Sequence, residues 1–502
     1  MKIFKNLKII VLVAIIPLLL NCETVLDEEV KTFFTEETFY QTEVDAKLAI
    51  NGIYGHLGST FDPGIPNATG IYHTNYWISN ALMSDEGVEN YVGNGFDDLA
   101  VLAQTPENPI VSQIWANVYL GINAANLAIA NIPNINMNED LKDDLLGEAY
   151  FMRGLLYFEL VRFFGEVPLY LQATKTFTAD SYLERSSVNE VYAQIFSDWA
   201  IAETSLPSVQ TGENFGRPTS WSAKAYIAKA ALQQGLDYNL ARTKLEDIIN
   251  EGPFSLWEDY KDVFKVANNL GKEVIFAMSF LSGDDLFTTL WEGGHLVYRS
   301  LPGGVYGGRP NGGGFESPTL DLYNAFEDQD RRKETIFITE DNIRGEVVDF
   351  GGPQIIKYWD REAEPLVNDT ENDLQLIRYA DVLLMYAEVL NEIEQGTSAI
   401  SLDAINQVRR RARFADGVER TGVLPDLTAM GYQAFKEAIL NERRLELCWE
   451  GHRWFDLVRH GKLAEKVTAA KPNVSVAERH NLLPIPQRER DINNKLSQNP
   501  GY

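Results

Sequence analysis

The chain has 502 residues, 45% hydrophobic and 23% charged, the profile of a globular protein rather than a disordered one. That length accommodates one large domain or two to three ordinary ones, each able to bury a core. Forty-four Lys and Arg face 72 Asp and Glu, a net charge of −28. Such a surface repels phosphate backbones and anionic lipid, which argues against nucleic-acid binders and polybasic membrane-surface proteins and leaves neutral, cationic or metal-bridged partners.

The first 21 residues read as an export signal. Lys2, Lys5 and Lys8 precede an apolar run from Ile9 to Leu20, too short to span a bilayer comfortably. Leu19-Leu20-Asn21-Cys22 resembles a bacterial lipobox, with Asn21 where Gly, Ala or Ser is commoner, so Cys22 is the expected lipidation site. Without the leader, 41 basic residues face 72 acidic ones, a net −31. Lipidation consumes Cys22 and leaves Cys448 as the one thiol, which excludes an intramolecular disulfide and a Cys-based metal site. Cys448 sits among Leu445, Leu447 and Trp449 and is expected to be a buried small hydrophobe in a helix. Glu23 and Asp27-Glu28-Glu29 follow the lipidation site, as acidic stretches do in surface-exported lipoproteins of Bacteroidetes.

In chain order, helix signals dominate. Leu145, Ala149, Met152 and Leu156 recur at helical spacing, and 145–164 is apolar or aromatic nearly all round, which predicts a helix buried on most sides. Trp221, Ala225, Ala228 and Leu232 mark another helix, and Leu376, Ala380, Leu383, Ala387 and Leu390 a third. Gly165, Pro207, Gly235, Gly252-Pro253 and Gly396 punctuate them. Gly154, Ala223, Ala228 and Ala230 allow neighbouring helices to approach closely, as in degenerate tetratricopeptide-type pairs, although no clean 34-residue repeat is visible. Residues 273–278 and 354–359 read as short strands, and the seven glycines between Gly303 and Gly314 demand a loop.

Several of these stretches together resemble the SusD/RagB outer-membrane lipoproteins of Bacteroidetes. They are Ala49–Tyr54, Glu148–Gly154 with Arg162–Gly165 and Val167–Leu169, and Pro318-Thr319 leading to Asp330-Arg331-Arg332. Ile377–Glu388, Asn441–Leu447 with Glu450–Leu457, and Leu483–Pro486 with Gln498–Tyr502 complete the match. The resemblance implies a mainly α fold: tetratricopeptide-like helix pairs as scaffold and an irregular, loop-rich half with a few short strands. It divides the chain into a signal peptide (1–21), an N-terminal region (22–225) and a C-terminal region (226–502) within one body. It further implies a cell-surface, lipid-anchored protein of the outer membrane that binds a glycan, or a peptide in the RagB branch, and caps a SusC-type TonB-dependent transporter.

The charged motif near residue 443 invites a catalytic reading. On a helix from about 431, Phe435, Ile439, Arg443, Glu446 and Glu450 share one face, so these charges continue an apolar stripe. Buried charges persist when paired, and Glu442, Arg443, Arg444, Glu446, Glu450 and Arg453 are expected to form a structural ion-pair network. The adjacent carboxylates Asp85-Glu86 and Asp284-Asp285 are unremarkable among 72 acids. The six histidines show no metal spacing, and neither a Gly-x-Ser-x-Gly elbow nor a phosphate-cradling turn occurs. A non-enzymatic binding protein without cofactor or metal is the expectation.

Sugars are held by aromatic rings against their C–H faces and by polar side chains on their hydroxyls. Two segments combine these residue types: 72–86, and 284–309. Trp77 and Trp291 are the expected stacking platforms, with Tyr76, Asn80, Asp85, Glu292, Tyr298, Tyr306 and Arg309 around them. Trp221, Trp257 and Trp359 are expected in the core. The charge favours a neutral glycan, and strong acidity, common in marine bacterial proteins, points to a β-glucan such as laminarin; starch-like α-glucan is the alternative. A peptide-capturing lid and a helical-repeat interaction scaffold are the readings from other classes.

Overall fold

The computed structural model describes residues 39–58, 70–173, 181–280, 296, 299, 314–343, 345–361, 370–420 and 422–502. Helix α1 (Glu43–Gly58) buries Ala46, Ile50, Ile53 and Leu57. A π-helical turn at Ile71–Asn75 runs into α2 (Tyr76–Met83), and all thirteen residues of the two are buried. After β1 (Gly87–Glu89) and α3 (Phe96–Ala100), α4 (Pro109–Asn131) begins where chemistry dictates. The Asn108 side chain accepts from the Ile110 and Val111 amides at 3.0 and 3.2 Å, and Pro109 occupies the position that needs no N–H donor.

Helix α5 (Glu139–Phe164) is buried on nearly every side from Leu145 onward, as its all-round apolarity predicts, and stops at Gly165 with φ 72°. Next come α6 (Val188–Ser205), opened by a Ser187–Glu190 capping box, α7 (Ser220–Gln234) and α8 (Tyr238–Glu251). Each of α4 to α8 packs against the next, giving the expected helix pairs. The small residue at 154 is what lets α5 approach α6: a Cβ there would meet Trp199 Nε1 at 2.6 Å.

The second half mixes strands with helices: β2 (Val274–Met278), β3 (Glu316–Pro318), α9 (Leu320–Ala325), α10 (Arg331–Ile336), β4 (Phe337–Ile343), β5 (Glu346–Ile355) and β6 (Leu374–Arg378). There follow α11 (Tyr379–Glu394), α12 (Ala399–Ala412), the two-residue strands β7 (Phe414–Ala415) and β8 (Val418–Glu419), α13 (Tyr432–Leu447), α14 (Arg453–Arg459), α15 (Leu463–Ala470) and α16 (Gln487–Ile492). Among the described residues strands pair in antiparallel twos, β1 with β3, β2 with β6, β4 with β5 and β7 with β8. The fold is therefore mainly α with a few short strands. One hydrophobic cluster runs from Ala46 to Leu496, joining side chains from both halves.

Three local expectations need correction. The strand expected at 354–359 ends at Ile355, and the Trp359 amide closes a turn onto the Ile356 carbonyl at 2.8 Å. Cys448 is the residue capping α13, outside the helix, although it is fully buried as expected. Burial pushes its thiol up to about 12, so it stays protonated and unreactive near neutral pH. Trp221, Trp257 and Trp359 lie at the rim of the core, each half-buried beneath a cation: Lys224, Lys272 and Arg361 at 5.4, 4.7 and 4.0 Å from the ring centres.

Candidate functional site

The charged motif of α13 is the frame on which segments from both halves of the chain hang. Pairing of β2 with β6 sets Val274 opposite Arg378, which brings Arg378 beside Glu273. Arg378 then donates to Glu273, Glu446 and Glu450 at 2.6–2.7 Å, and Arg411 pairs with Glu273 and Glu446. Arg332 joins Asp330, Glu442 and Glu446, while Lys357 closes on Glu450 at 2.6 Å and Arg409 on Glu442 at 2.6 Å. Five carboxylates thus face five cations in a connected, buried network. Burial alone would raise the Glu446 carboxyl; Arg411, Arg378 and Arg332 outweigh it and hold it at about 2. Glu450 takes part from beyond the end of α13, reached by a turn rather than by helical spacing.

A second set of pairs reaches towards α2. Arg443 binds Asp381 and Asp456, and Arg453 grips both oxygens of Asp85 at 2.8 and 2.9 Å, with Arg444 3.1 Å away. The guanidinium of Arg453 overcomes the burial penalty and holds Asp85 at about 2. Beside it, Glu86 accepts the Trp449 amide at 3.1 Å, and burial together with the Asp85 charge pushes its carboxyl up to about 8.

These contacts correct the first expected ligand segment. Trp77 is 1% exposed, packs 6.2 Å from Trp449 and donates its indole N–H to the His73 carbonyl. Tyr76 is 2% exposed and so tightly covered that a Cβ on Gly451 would meet its ring at 2.2 Å. Asn80 is buried and donates to the Tyr76 carbonyl at 3.0 Å, and Asp85 is consumed by Arg453. All four side chains are buried against the protein itself, so none of the four presents a surface to a sugar. Trp291, Glu292, Tyr298, Tyr306 and Arg309 of the second segment, like Cys22, lie outside the described residues.

An exposed aromatic lies a few residues further on. Pairing of β1 with β3 sets Gly87 opposite Pro318 and Glu89 opposite Glu316. Asn90 extends that clasp: its amide donates to the Phe315 carbonyl at 2.6 Å, and its side chain to Gly314 O and Ser317 Oγ at 3.1 and 2.8 Å. Asp97 gathers the loop by accepting the amides of Gly93 and Gly95, which hold φ of 97° and 88°. On this ledge the Tyr91 ring is 53% exposed and Val92 81% exposed, with Phe315 edge-on to Tyr91 at 5.7 Å. Arg299 lies over Phe315 and Phe96 at 4.7 and 5.0 Å and pairs with the buried Glu316. Burial and the Glu316 charge raise the Glu89 carboxyl to about 8, so at neutral pH it remains mostly protonated beside its neighbour. The result is a rigid clasp carrying one accessible aromatic face.

The signal for Tyr91 was in the sequence. Asn90-Tyr91-Val92-Gly93-Asn94-Gly95 is an aromatic amid turn formers, the same pattern that singled out 284–309. Among the described residues no group of three or more His, Cys, Asp or Glu is arranged to hold a metal ion, and no helix is long and apolar enough to cross a membrane.

Residues 348–502 match the sequence model of the SusD family, and 35–232 that of a SusD-like family described as starch-binding and associating with the outer membrane. The SusD-like protein P38 of Formosa agariphila is 30% identical over the full length of both chains. The crystal structure of a SusD homolog from Bacteroides thetaiotaomicron superposes with a TM-score of 0.81 at 24% identity, covering 93% of this chain and 98% of that one. A laminarin-binding SusD-like protein superposes with a TM-score of 0.77 at 25% identity, over 92% of this chain and 100% of that one. In motif order, helical architecture and full-length similarity alike, the chain belongs to the SusD/RagB family.

Proposed function

We propose that the protein is a lipid-anchored, cell-surface lipoprotein, attached through Cys22, that holds a neutral glycan against Tyr91 and passes it to a SusC-type TonB-dependent transporter. The observation that carries this reading is the Tyr91 ring, 53% exposed yet propped by Phe315 on a strand clasp. A flat ring held in place costs little further entropy when a pyranose stacks on it. Trp291, Glu292, Tyr298, Tyr306 and Arg309, in the chain segment that ends next to Phe315, are the further candidates for ring and hydroxyl contacts. Binding without turnover suffices, because anchoring beside a transporter raises the effective concentration of a captured polymer.

The net charge of −28 disfavours polyanionic glycans. Laminarin is the first choice of ligand, from the laminarin-binding relative. Starch-like α-glucan is the second, from the family description matched by residues 35–232. Affinity electrophoresis of the 23–502 fragment through gels containing laminarin, amylopectin, a galactomannan or a polyuronate tests the reading. Retardation by one neutral polymer supports it; passage unretarded through every gel overturns it in favour of peptide capture or a scaffold role, and release of shorter sugars overturns the assignment of binding without turnover.

A further inference from the structure

A concavity of about 410 Å³ opens between the exposed side of α4, the irregular segment after α5 and the C-terminal helix α16. Its walls are Trp115 and Tyr119 from α4, Tyr170 and Tyr182 from the segment after α5, and Arg488 and Glu489 from α16. Trp115 is buried and serves as the floor, with Tyr119 5.0 Å from it. Tyr119, Tyr170 and Tyr182 are half-buried, so part of each ring borders the open space. Tyr119 and Tyr170 meet edge-on at 5.8 Å and 82°, an arrangement that fixes both rings.

The polar groups of the cavity are only partly used. Tyr119 donates its hydroxyl to the Pro168 carbonyl at 2.9 Å, which locks the ring and leaves the oxygen able to accept. The Tyr170 hydroxyl accepts the Leu183 amide at 3.3 Å and donates to no described residue. Glu489 has no ion-pair partner within 4 Å among the described residues although Arg488 is its neighbour, and burial raises its carboxyl. Arg488 is exposed at the mouth. Ring faces, a free hydroxyl proton, a carboxyl and a guanidinium converge on a space within the size range of small-molecule sites. A lipid tail or a packing helix would leave the carboxyl and hydroxyl unpaired against apolar groups, at a cost in desolvation. A sugar satisfies both demands at once, presenting C–H faces to the rings and hydroxyls to the polar groups.

We infer that this cavity is a second carbohydrate site, taking one or two units of a neutral pyranose oligosaccharide between Tyr119, Tyr170 and Tyr182, with Glu489 and Arg488 on the hydroxyls. The inference rests on the glycan-binding reading above but on a different place in the molecule. It shares no residue with the Tyr91 ledge, and the cavity starts about 9 Å further along α4 from Pro109, against which Gly95 of the ledge loop packs. Two sites on one tethered protein give a polymer repeated engagement and slow its escape.

Native mass spectrometry and isothermal titration of the 23–502 fragment with laminarihexaose and with maltoheptaose test this. Two equivalents of one of these sugars are expected for the wild type. One equivalent remains in Tyr91→Ala, one in Tyr182→Ala, and none in the double variant. Glu489→Gln, which keeps the shape of the side chain, weakens the second event at least tenfold and serves if Tyr182→Ala does not fold. A single equivalent in the wild type, abolished by Tyr91→Ala and untouched by Tyr182→Ala and Glu489→Gln, overturns the second site and leaves the first. Absence of binding by both sugars to the wild type overturns the second site for them and, together with an unretarded protein in every polymer gel, the glycan reading itself.

Discussion

Replacing Arg378 with Met removes the hub of the buried ion-pair network while keeping most of its volume. Arg378 is 0% exposed and makes hydrogen bonds to Glu273, Glu446 and Glu450, with another to the Glu446 carbonyl at 2.7 Å. Deleting one partner of a buried pair costs about 3–5 kcal/mol. Here Arg411 remains on Glu273 and Glu446, and Lys357 on Glu450, so the loss falls near the lower end, about 3 kcal/mol. That is a large part of the 5–15 kcal/mol typical of a folded domain. The pH dependence follows from sign: Glu446, held at about 2 against an ordinary 4.5, contributes stability that is complete above 4.5 and lost as pH falls towards 2. Without Arg378 that contribution shrinks, so the gap between variant and wild type narrows between pH 7 and pH 3. Arg378→Lys keeps the charge but cannot fork to three carboxylates, and falls between the two. Urea unfolding followed by far-UV circular dichroism at both pH values is the assay. A variant within about 0.5 kcal/mol of wild type at pH 7, the range of ordinary surface changes, refutes the structural role given to the network.

Glu86→Gln keeps the acceptor for the Trp449 amide and removes a carboxyl whose folded value is about 8. Because that value is raised, wild-type stability declines as pH climbs from 4.5 to 8; the variant melts at a higher temperature at pH 8 and at an equal one at pH 4, and identical melting curves at both refute it. Gly154→Ala gains up to about 1 kcal/mol of helix propensity but drives a Cβ to 2.6 Å from Trp199, whose indole is tied to the Phe151 carbonyl. A net loss of about 1–2 kcal/mol in urea unfolding is expected, and an unchanged midpoint contradicts the close approach. Trp77→Ala costs about 3–5 kcal/mol as a core truncation while the folded fraction keeps its glycan affinity; a stable variant that loses binding would restore Trp77 as a platform.

How much of this was legible in the sequence depended on whether a signal was local. The burial of 145–164 and the role of Gly154 follow from periodicity and residue size along one helix, and the structure shows both. The motif around Arg443 gave away its own burial because charge lay on an apolar stripe, yet its partners Arg332 and Arg378 come from distant α10 and β6, with Glu273 joining them from the turn before β2, and carry no sequence mark of the pairing. Glu450 reached the network from outside the helix on which its spacing had placed it. The site was harder. Tyr72 to Asn80 has the composition of a sugar-binding loop, but the same aromatic and amide groups can bond along a helix and face inward, and composition does not distinguish the two. Tyr91 follows that segment after ten residues that include the three-residue β1, and its exposure is set by a partner strand more than 200 positions away.

The central claim is that a neutral glycan is held on the ledge at Tyr91. Isothermal titration of the 23–502 fragment and its Tyr91→Ala variant with laminarin is the direct test, with melting curves as the control for folding. The ring is exposed and removable without disturbing the core, so the variant should melt like the wild type while the binding event at the ledge weakens at least about tenfold, a loss of about 1.4 kcal/mol, and the event at the cavity beside α4 and α16 remains. Equal affinity and equal stoichiometry for laminarin in the folded variant would contradict the claim.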